Sequence, residues 1–153
     1  MALTIRDRVE LAKNGENPLV ICRLESCWVT ASDPQTIDGY CIILSDPVVP
    51  TLNDLSEEAR AKYCRDMIRV GDALLKVTGA ARINYETWCN LDKSLHTHVV
   101  PRFENEPDDK KTKPLVVGYD ATQARRFDPV TDRAFVLKMR EALKPFALSA
   151  KLP

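Results

Sequence analysis

The chain contains two histidines, His96 and His98, and a single residue separates them in the segment 94–102, which is rich in residues that favour β-strand. Side chains alternate between the two faces of a strand, so we expect His96 and His98 to lie on one face together with Ser94. Two imidazoles held side by side can hold a phosphate and exchange protons with it. The spacing alone leaves an ordinary pair of partly exposed histidines as the alternative.

The length and charge of the chain limit the kinds of ligand that it is expected to bind. Its 153 residues predict one domain over 1–153 that can bury a core without disulfides. Lysine plus arginine equals aspartate plus glutamate at 22 each. A balanced charge gives no reason to expect nucleic-acid binding through a basic face, so a small molecule is the expected partner.

Cysteine usage and the N-terminal segment predict a cytoplasmic protein without a membrane segment. Residues 1–10 are charged every few positions and lack the apolar core of a secretory signal. The five cysteines are an odd number without a CxxC pair, which indicates reduced, non-catalytic thiols. We predict no cofactor and no metal, because a zinc site would have to bring distant cysteines to the two histidines. Such a metal site is a third, minor alternative.

The pattern of apolar residues predicts an α+β fold built on an antiparallel sheet. Helices are predicted over 4–13, from 54 to about 79, and from about 130 to 143. Strands are predicted over 19–24, 27–31, 39–44, 82–89 and 94–102. The charged run 104–113 is predicted to be a mobile, solvated loop.

The histidine strand and the segment before it resemble the histidine triad superfamily, whose signature is three histidines alternating with apolar residues, often followed by Pro-Arg. The matching residues are His96, His98, Pro101 and Arg102. Ser94 stands where the signature has its first histidine, and the segment 82–102 resembles a bacterial branch that has a small residue there. The resemblance covers about 17–103 and leaves out a C-terminal loop and helix, about 104–153. It implies an antiparallel sheet with the long helix packed on it, flanked by N- and C-terminal helices.

The resemblance also implies roles for individual residues. His96 is expected to attack the α-phosphorus of a nucleotide and to become transiently nucleotidylated, while His98 binds the phosphate or the leaving oxygen. Asn90 is expected to donate to a phosphate oxygen and Asp33 to bind the ribose hydroxyls. Asn84 is expected to add a polar contact.

These roles predict a nucleotide hydrolase or nucleotidyl transferase acting on a dinucleoside polyphosphate or a nucleoside phosphoramidate. If position 94 orients His96 through its main-chain carbonyl, serine replaces histidine without loss. If a proton relay is needed there, the protein is instead a nucleotide-binding regulatory module with little or no turnover. Apolar side chains from 22–29 and 42–44 are expected to form the base pocket. The resemblance further implies a homodimer formed through 63–74 and 82–88.

Overall fold

A five-stranded antiparallel sheet of order β1-β2-β3-β5-β4 organises residues 3–153, which are the residues described by this computed structural model. Its strands are β1 (Val20–Arg23), β2 (Cys27–Ala31), β3 (Cys41–Ser45), β4 (Arg82–Glu86) and β5 (His96–Arg102). β5 therefore lies inside the sheet, between β3 and β4, although it is the last strand in the sequence. The predicted α+β class is confirmed.

Three longer helices occur where the sequence predicts them. They are α1 (Ile5–Asn14), α2 (Glu57–Thr78) and α5 (Arg133–Leu143), with short helices α3 (Asp108–Lys111) and α4 (Leu115–Gly118) before the last. The Thr4 hydroxyl caps α1 by accepting from the Asp7 amide, and Gly15 ends the helix with a φ of 74° that favours glycine. No helix within residues 3–153 has the length and apolar character needed to cross a bilayer.

Helices cover both faces of the sheet. α2 and α5 pack on one face against Val29, Ile43, Leu95 and Val99. α1 packs on the other face against Trp28, Tyr40, Ile42, Leu44 and Val100. Successive β5 residues thus enter two different cores, and the even-numbered ones lie on the α1 face.

The segment after β5 corrects one prediction, because 104–113 is not a solvated loop throughout. It contains α3, and Glu106 is buried with 8% of its surface exposed. Glu106 accepts hydrogen bonds from Arg102, from the Phe103 amide and from the Tyr119 hydroxyl. The cause is Arg102 at the end of β5, since a buried guanidinium requires a countercharge.

This buried ion pair yields a stability prediction. Glu106→Gln leaves the buried Arg102 charge uncompensated, so we expect the free energy of unfolding to fall by about 3–5 kcal/mol. Urea denaturation followed by circular dichroism measures the change. Glu104→Gln is the matched control, because Glu104 is exposed and we expect its replacement to change stability by less than about 0.5 kcal/mol. An equal effect of the two substitutions would contradict the assigned role of Glu106.

Candidate functional site

The two histidines lie side by side on the α1 face of the sheet, as predicted. In the β3–β5 register His96 pairs with Leu44 and His98 with Ile42. The ring centroids are 5.0 Å apart, and the ring planes are inclined by 78°. His96 is buried with 8% exposed, whereas His98 is half-buried. The pair can therefore contact a single phosphate-sized ligand.

Ser94 contacts His96 through its backbone. β5 begins at His96, so Ser94 precedes the strand, and its carbonyl oxygen accepts a hydrogen bond of 2.7 Å from Nδ1 of His96. A carbonyl oxygen only accepts, which places the imidazole proton on Nδ1. Nε2 of neutral His96 then carries the lone pair that a nucleophile or base requires.

Tyr40, which was not among the predicted site residues, holds the second histidine. Its hydroxyl forms a hydrogen bond with Nδ1 of His98. Burial raises the pKa of Tyr40 to about 12, so the phenol keeps its proton. Burial, together with the neighbouring His96 and Arg8, lowers the pKa of His98 to about 4. When Tyr40 donates to Nδ1, the proton of neutral His98 is on Nε2, where it can be donated to a ligand.

Cys89 lies beneath the first histidine. Its Sγ is 3.8 Å from Nδ1 of His96 and 3.5 Å from the His96 carbonyl oxygen. All five cysteines are free, and burial raises the pKa of the thiols of Cys22, Cys27 and Cys41. Those three thiols are therefore poor nucleophiles at neutral pH.

Asp33 contacts the C-terminal part of the chain. Its Oδ2 accepts from Nη2 of Arg126 at 2.7 Å, and its Oδ1 accepts from the Phe127 amide at 3.1 Å. No hydrogen bond links Asp33 to the histidine pair within residues 3–153. Segment 125–127 thus borders Asp33.

The two predicted asparagines differ in their surroundings. Asn90 is exposed, and its side chain makes no hydrogen bond to any other residue in the described range. Asn84 pairs with Val100 rather than with a histidine, and its Oδ1 accepts from Nη1 of Arg102 at 2.7 Å. Glu86 is the β4 residue opposite His98. Asn84 therefore contributes to the buried network around Arg102.

A cavity of about 690 Å³ runs along β4 and is lined by Asn84, Glu86 and Trp88 among others, but by neither histidine. Trp28 and Ile42, from the strands expected to bind the base, are buried in the core formed with α1. No three histidine, cysteine or acidic side chains converge as metal ligands within residues 3–153.

Comparison with known proteins identifies the fold. No family model matches the sequence, and no curated protein is significantly similar to it. A histidine triad protein from Sinorhizobium meliloti 1021 is 24% identical, with a TM-score of 0.72 over 88% of this chain and 94% of that chain. A histidine triad protein from Bradyrhizobium japonicum is 22% identical, with a TM-score of 0.70 over 80% of this chain and 88% of that one.

A third solved structure supports the same fold at lower sequence identity. A hypothetical histidine triad nucleotide-binding protein from Sulfolobus tokodaii strain7 is 14% identical, with a TM-score of 0.63 over 83% of this chain and 84% of that one. At these identities the likeness establishes the fold. The chain has the α+β fold of the histidine triad proteins.

The depressed pKa of His98 gives a pH prediction. Unfolded His98 titrates near its ordinary value of 6.5 and folded His98 at about 4, so the unfolded state binds more protons between these values. We expect the free energy of unfolding to decrease as pH falls through this window, by up to about 3 kcal/mol. Denaturation of wild type and His98→Gln between pH 4 and 7 isolates the histidine contribution from that of the carboxyl groups. If the free energy of unfolding had the same slope against pH in both proteins, the assigned contribution of His98 would be disproved.

Proposed function

We propose that the protein is a nucleotide hydrolase or nucleotidyl transferase that cleaves a nucleotide conjugate at its α-phosphate through a nucleotidylated His96. The observation that supports this most is the hydrogen bond from Nδ1 of His96 to the Ser94 carbonyl, because it leaves a lone pair on Nε2 beside a second imidazole. The histidine triad fold adds support, as does the nucleotide-binding description of the Sulfolobus tokodaii protein.

The proposed reaction has two displacement steps. In the first, Nε2 of His96 bonds to the α-phosphorus and the bond to the leaving group breaks, while the Nε2–H of neutral His98 donates a hydrogen bond to the leaving atom, which departs as an anion or takes a proton from solvent. In the second, a water or another acceptor hydroxyl bonds to phosphorus and loses its proton to solvent, and the bond to Nε2 of His96 breaks. Imidazole suits both steps, since it is a good nucleophile when neutral and a competent leaving group.

Ser94 decides between this function and its alternative. The proposed orienting contact uses only the main-chain carbonyl, which serine supplies as well as histidine does. A regulatory nucleotide-binding module with little turnover is the second candidate, and it is favoured by the lack of an imidazole at position 94. A step that needs a proton relay from that position would be slow in this chain.

The remaining proposed roles are those of three polar side chains that would bind the nucleotide. Asn90 is exposed at the start of the loop that leads to His96, so its amide is free to donate to a phosphate oxygen. Asp33 is proposed to accept from ribose hydroxyls while it keeps its contact with Arg126. Asn84 is proposed as an additional polar contact, reached from the cavity beside β4.

The nucleophile assignment is tested by two neighbouring substitutions. We expect His96→Ala to lower kcat by at least about 1,000-fold while nucleotide affinity changes by less than about 3-fold, since the residue forms a bond only during reaction. Ser94→Ala is the matched control, and its kcat should stay within about 3-fold of wild type because the carbonyl remains. Release of AMP from a diadenosine polyphosphate is the measurement.

The two outcomes exclude different parts of the proposal. Undiminished turnover in His96→Ala would exclude His96 as the nucleophile. No AMP release by wild-type protein that binds the nucleotide would favour the regulatory module.

We also propose that the protein forms a homodimer through the β4 edge of the sheet. At the opposite edge, the C-terminal region covers β1, where Leu148 donates to the Arg23 carbonyl and Arg140 to the Val20 and Ile21 carbonyls. Within residues 3–153 no other strand pairs with the outer edge of β4.

Exposed apolar side chains accompany that open edge. They are Ile68 at 46%, Leu75 at 37% and Trp88 at 52% exposed. An open strand edge flanked by apolar groups is a template for pairing with another chain. A second copy is the proposed occupant, because the two β4 edges are self-complementary under two-fold symmetry.

The dimer proposal predicts a change in mass. We expect wild type to elute as a dimer at micromolar concentration in size-exclusion chromatography with light scattering, and Ile68→Lys combined with Leu75→Lys to be monomeric. Val130→Lys is the control, because Val130 is 82% exposed and lies outside the β4 edge and α2. A monomeric wild type would refute this assembly.

A further inference from the structure

Glu86 is the charged residue of β4 that lies next to the histidine pair. It is the last residue of β4 and is paired with His98 in the β4–β5 register, so both side chains lie on the α1 face of the sheet. Residues paired across strands have Cβ atoms about 4.5–5.5 Å apart. The hydrogen bond between the hydroxyls of Thr87 and Thr97 continues this pairing beyond Glu86. Strand pairing therefore places Glu86 beside His98.

The Glu86 carboxylate lacks a protein partner, although the residue is half-buried. Among residues 3–153 it accepts no hydrogen bond and joins no ion pair. Glu106, which lines the same cavity along β4, is by contrast paired with Arg102 at 2.9 Å. A partly desolvated carboxylate without a countercharge is costly. A cationic group of a ligand would offset that cost.

Trp88 lies two residues beyond Glu86 and lines the same cavity of about 690 Å³. Its indole is 52% exposed, so a ligand in the cavity can contact the ring. An ammonium group is attracted by a carboxylate and also by the face of an indole ring. The two side chains at this end of the cavity are thus both suited to an organic cation.

The cationic side chains of the cavity lie towards its other end. Arg82 is paired with Arg102, which follows His98 by four positions along β5, roughly 13 Å at the rise of a strand. The Lys113 carbonyl accepts from the same Arg102, and Lys111 is already in an ion pair with a neighbouring carboxylate. Among the charged residues that line this cavity, Glu86 is therefore the one beside His98.

Strand order assigns the cavity to the leaving-group side of the substrate. Asp33, the proposed ribose residue, follows β2, and β3 and β5 separate β2 from β4. The substituents of a tetrahedral phosphorus point in different directions. A conjugate whose phosphorus lies at β5 and whose ribose lies towards β2 therefore directs its leaving group towards β4 and Glu86.

We propose that Glu86, together with Trp88, makes the site prefer conjugates whose leaving group carries a positive charge and disfavour conjugates whose leaving group is anionic. The favoured substrate class is a nucleoside phosphoramidate of an amine that bears a second, cationic group. A polyphosphate leaving group would be repelled by the carboxylate. The inference rests on the proposed function and names the leaving group for that same site.

The test compares three adenosine phosphoramidates that share the bond to be cleaved. Their nitrogen carries an aminopropyl, a butyl or a carboxyethyl group, so the leaving amine is cationic, uncharged or anionic at its far end. Chains of this length reach about as far as the ~4.8 Å between neighbouring strands. We expect the kcat/KM of wild type for AMP release to be highest for the aminopropyl and lowest for the carboxyethyl conjugate.

Removal of the charge should reduce this preference. We expect Glu86→Gln to lower kcat/KM by about 10-fold for the aminopropyl conjugate, to raise it by about 3-fold for the carboxyethyl conjugate, and to leave the butyl conjugate within about 2-fold. Trp88→Leu should lower kcat/KM for the aminopropyl conjugate by about 2–5-fold, the usual contribution of an exposed cation–π contact.

Glu104→Gln is the matched control, because Glu104 is an exposed carboxylate that lines the same cavity but follows β5. We expect it to leave the order and the ratios of the three substrates unchanged. Thermal unfolding and light scattering show whether each variant keeps the fold and the mass of wild type. Equal losses of Glu86→Gln on all three conjugates, or the same discrimination as wild type, would overturn the proposal.

A binding measurement separates this inference from the proposed function. If wild type releases AMP from none of the conjugates, the proposed turnover fails, and the intact conjugates then serve as ligands in titration calorimetry. Tighter binding of the aminopropyl than of the carboxyethyl conjugate, lost in Glu86→Gln and kept in Glu104→Gln, would support the role of Glu86. Equal binding of the two conjugates to wild type, or no binding of either, would refute it.

Discussion

The hydrogen bond between Nδ1 of His96 and the Ser94 carbonyl is the contact on which the proposed chemistry depends. It fixes the tautomer, because the carbonyl has no proton to give. The backbone that presents this carbonyl is itself held in place. Leu95 is fully buried, its amide donates to the Val49 carbonyl, and its carbonyl accepts from the Ser45 amide. The orientation of His96 is therefore set by main-chain pairing, and the side chain at position 94 is free to differ.

The inner position of β5 makes this geometry hard to change. On the α2 face, Thr97 shares hydrogen bonds with the hydroxyls of Tyr63 and Thr87, and Val99 is fully buried. A shift of one residue in the register of β5 would move these side chains to the α1 face and the histidines into the α2 core. Burial on both faces thus fixes the register, and the register fixes where the imidazoles lie.

The sequence predicts those features that depend on residues close to one another along the chain. The alternation of the β5 side chains between the two faces of the sheet and the capping of α1 at Thr4 both follow from neighbouring residues. The contact of Tyr40 with His98 spans 58 positions, and a pattern of local spacing carries no sign of it. The prediction over 104–113 is wrong for a related reason. Charge density favours a solvated loop, whereas Glu106 compensates the buried Arg102, which lies outside that segment.

The contacts of Asp33 extend the proposed site beyond the segment covered by the resemblance. A carboxylate has about four lone-pair positions, and the hydrogen bonds from Arg126 and the Phe127 amide use two of them, one on each oxygen. Two lone-pair positions remain for the hydroxyls of a ribose, so Asp33 can bind the diol while it keeps its contacts with Arg126 and Phe127. The diol would then bind against 125–127, which is attached to the sheet by the Gln35 amide and the Arg125 carbonyl. Asp33 and Arg126 are 93 positions apart. Residues near position 126 would therefore form a wall of the proposed site although nothing in their own sequence indicates it.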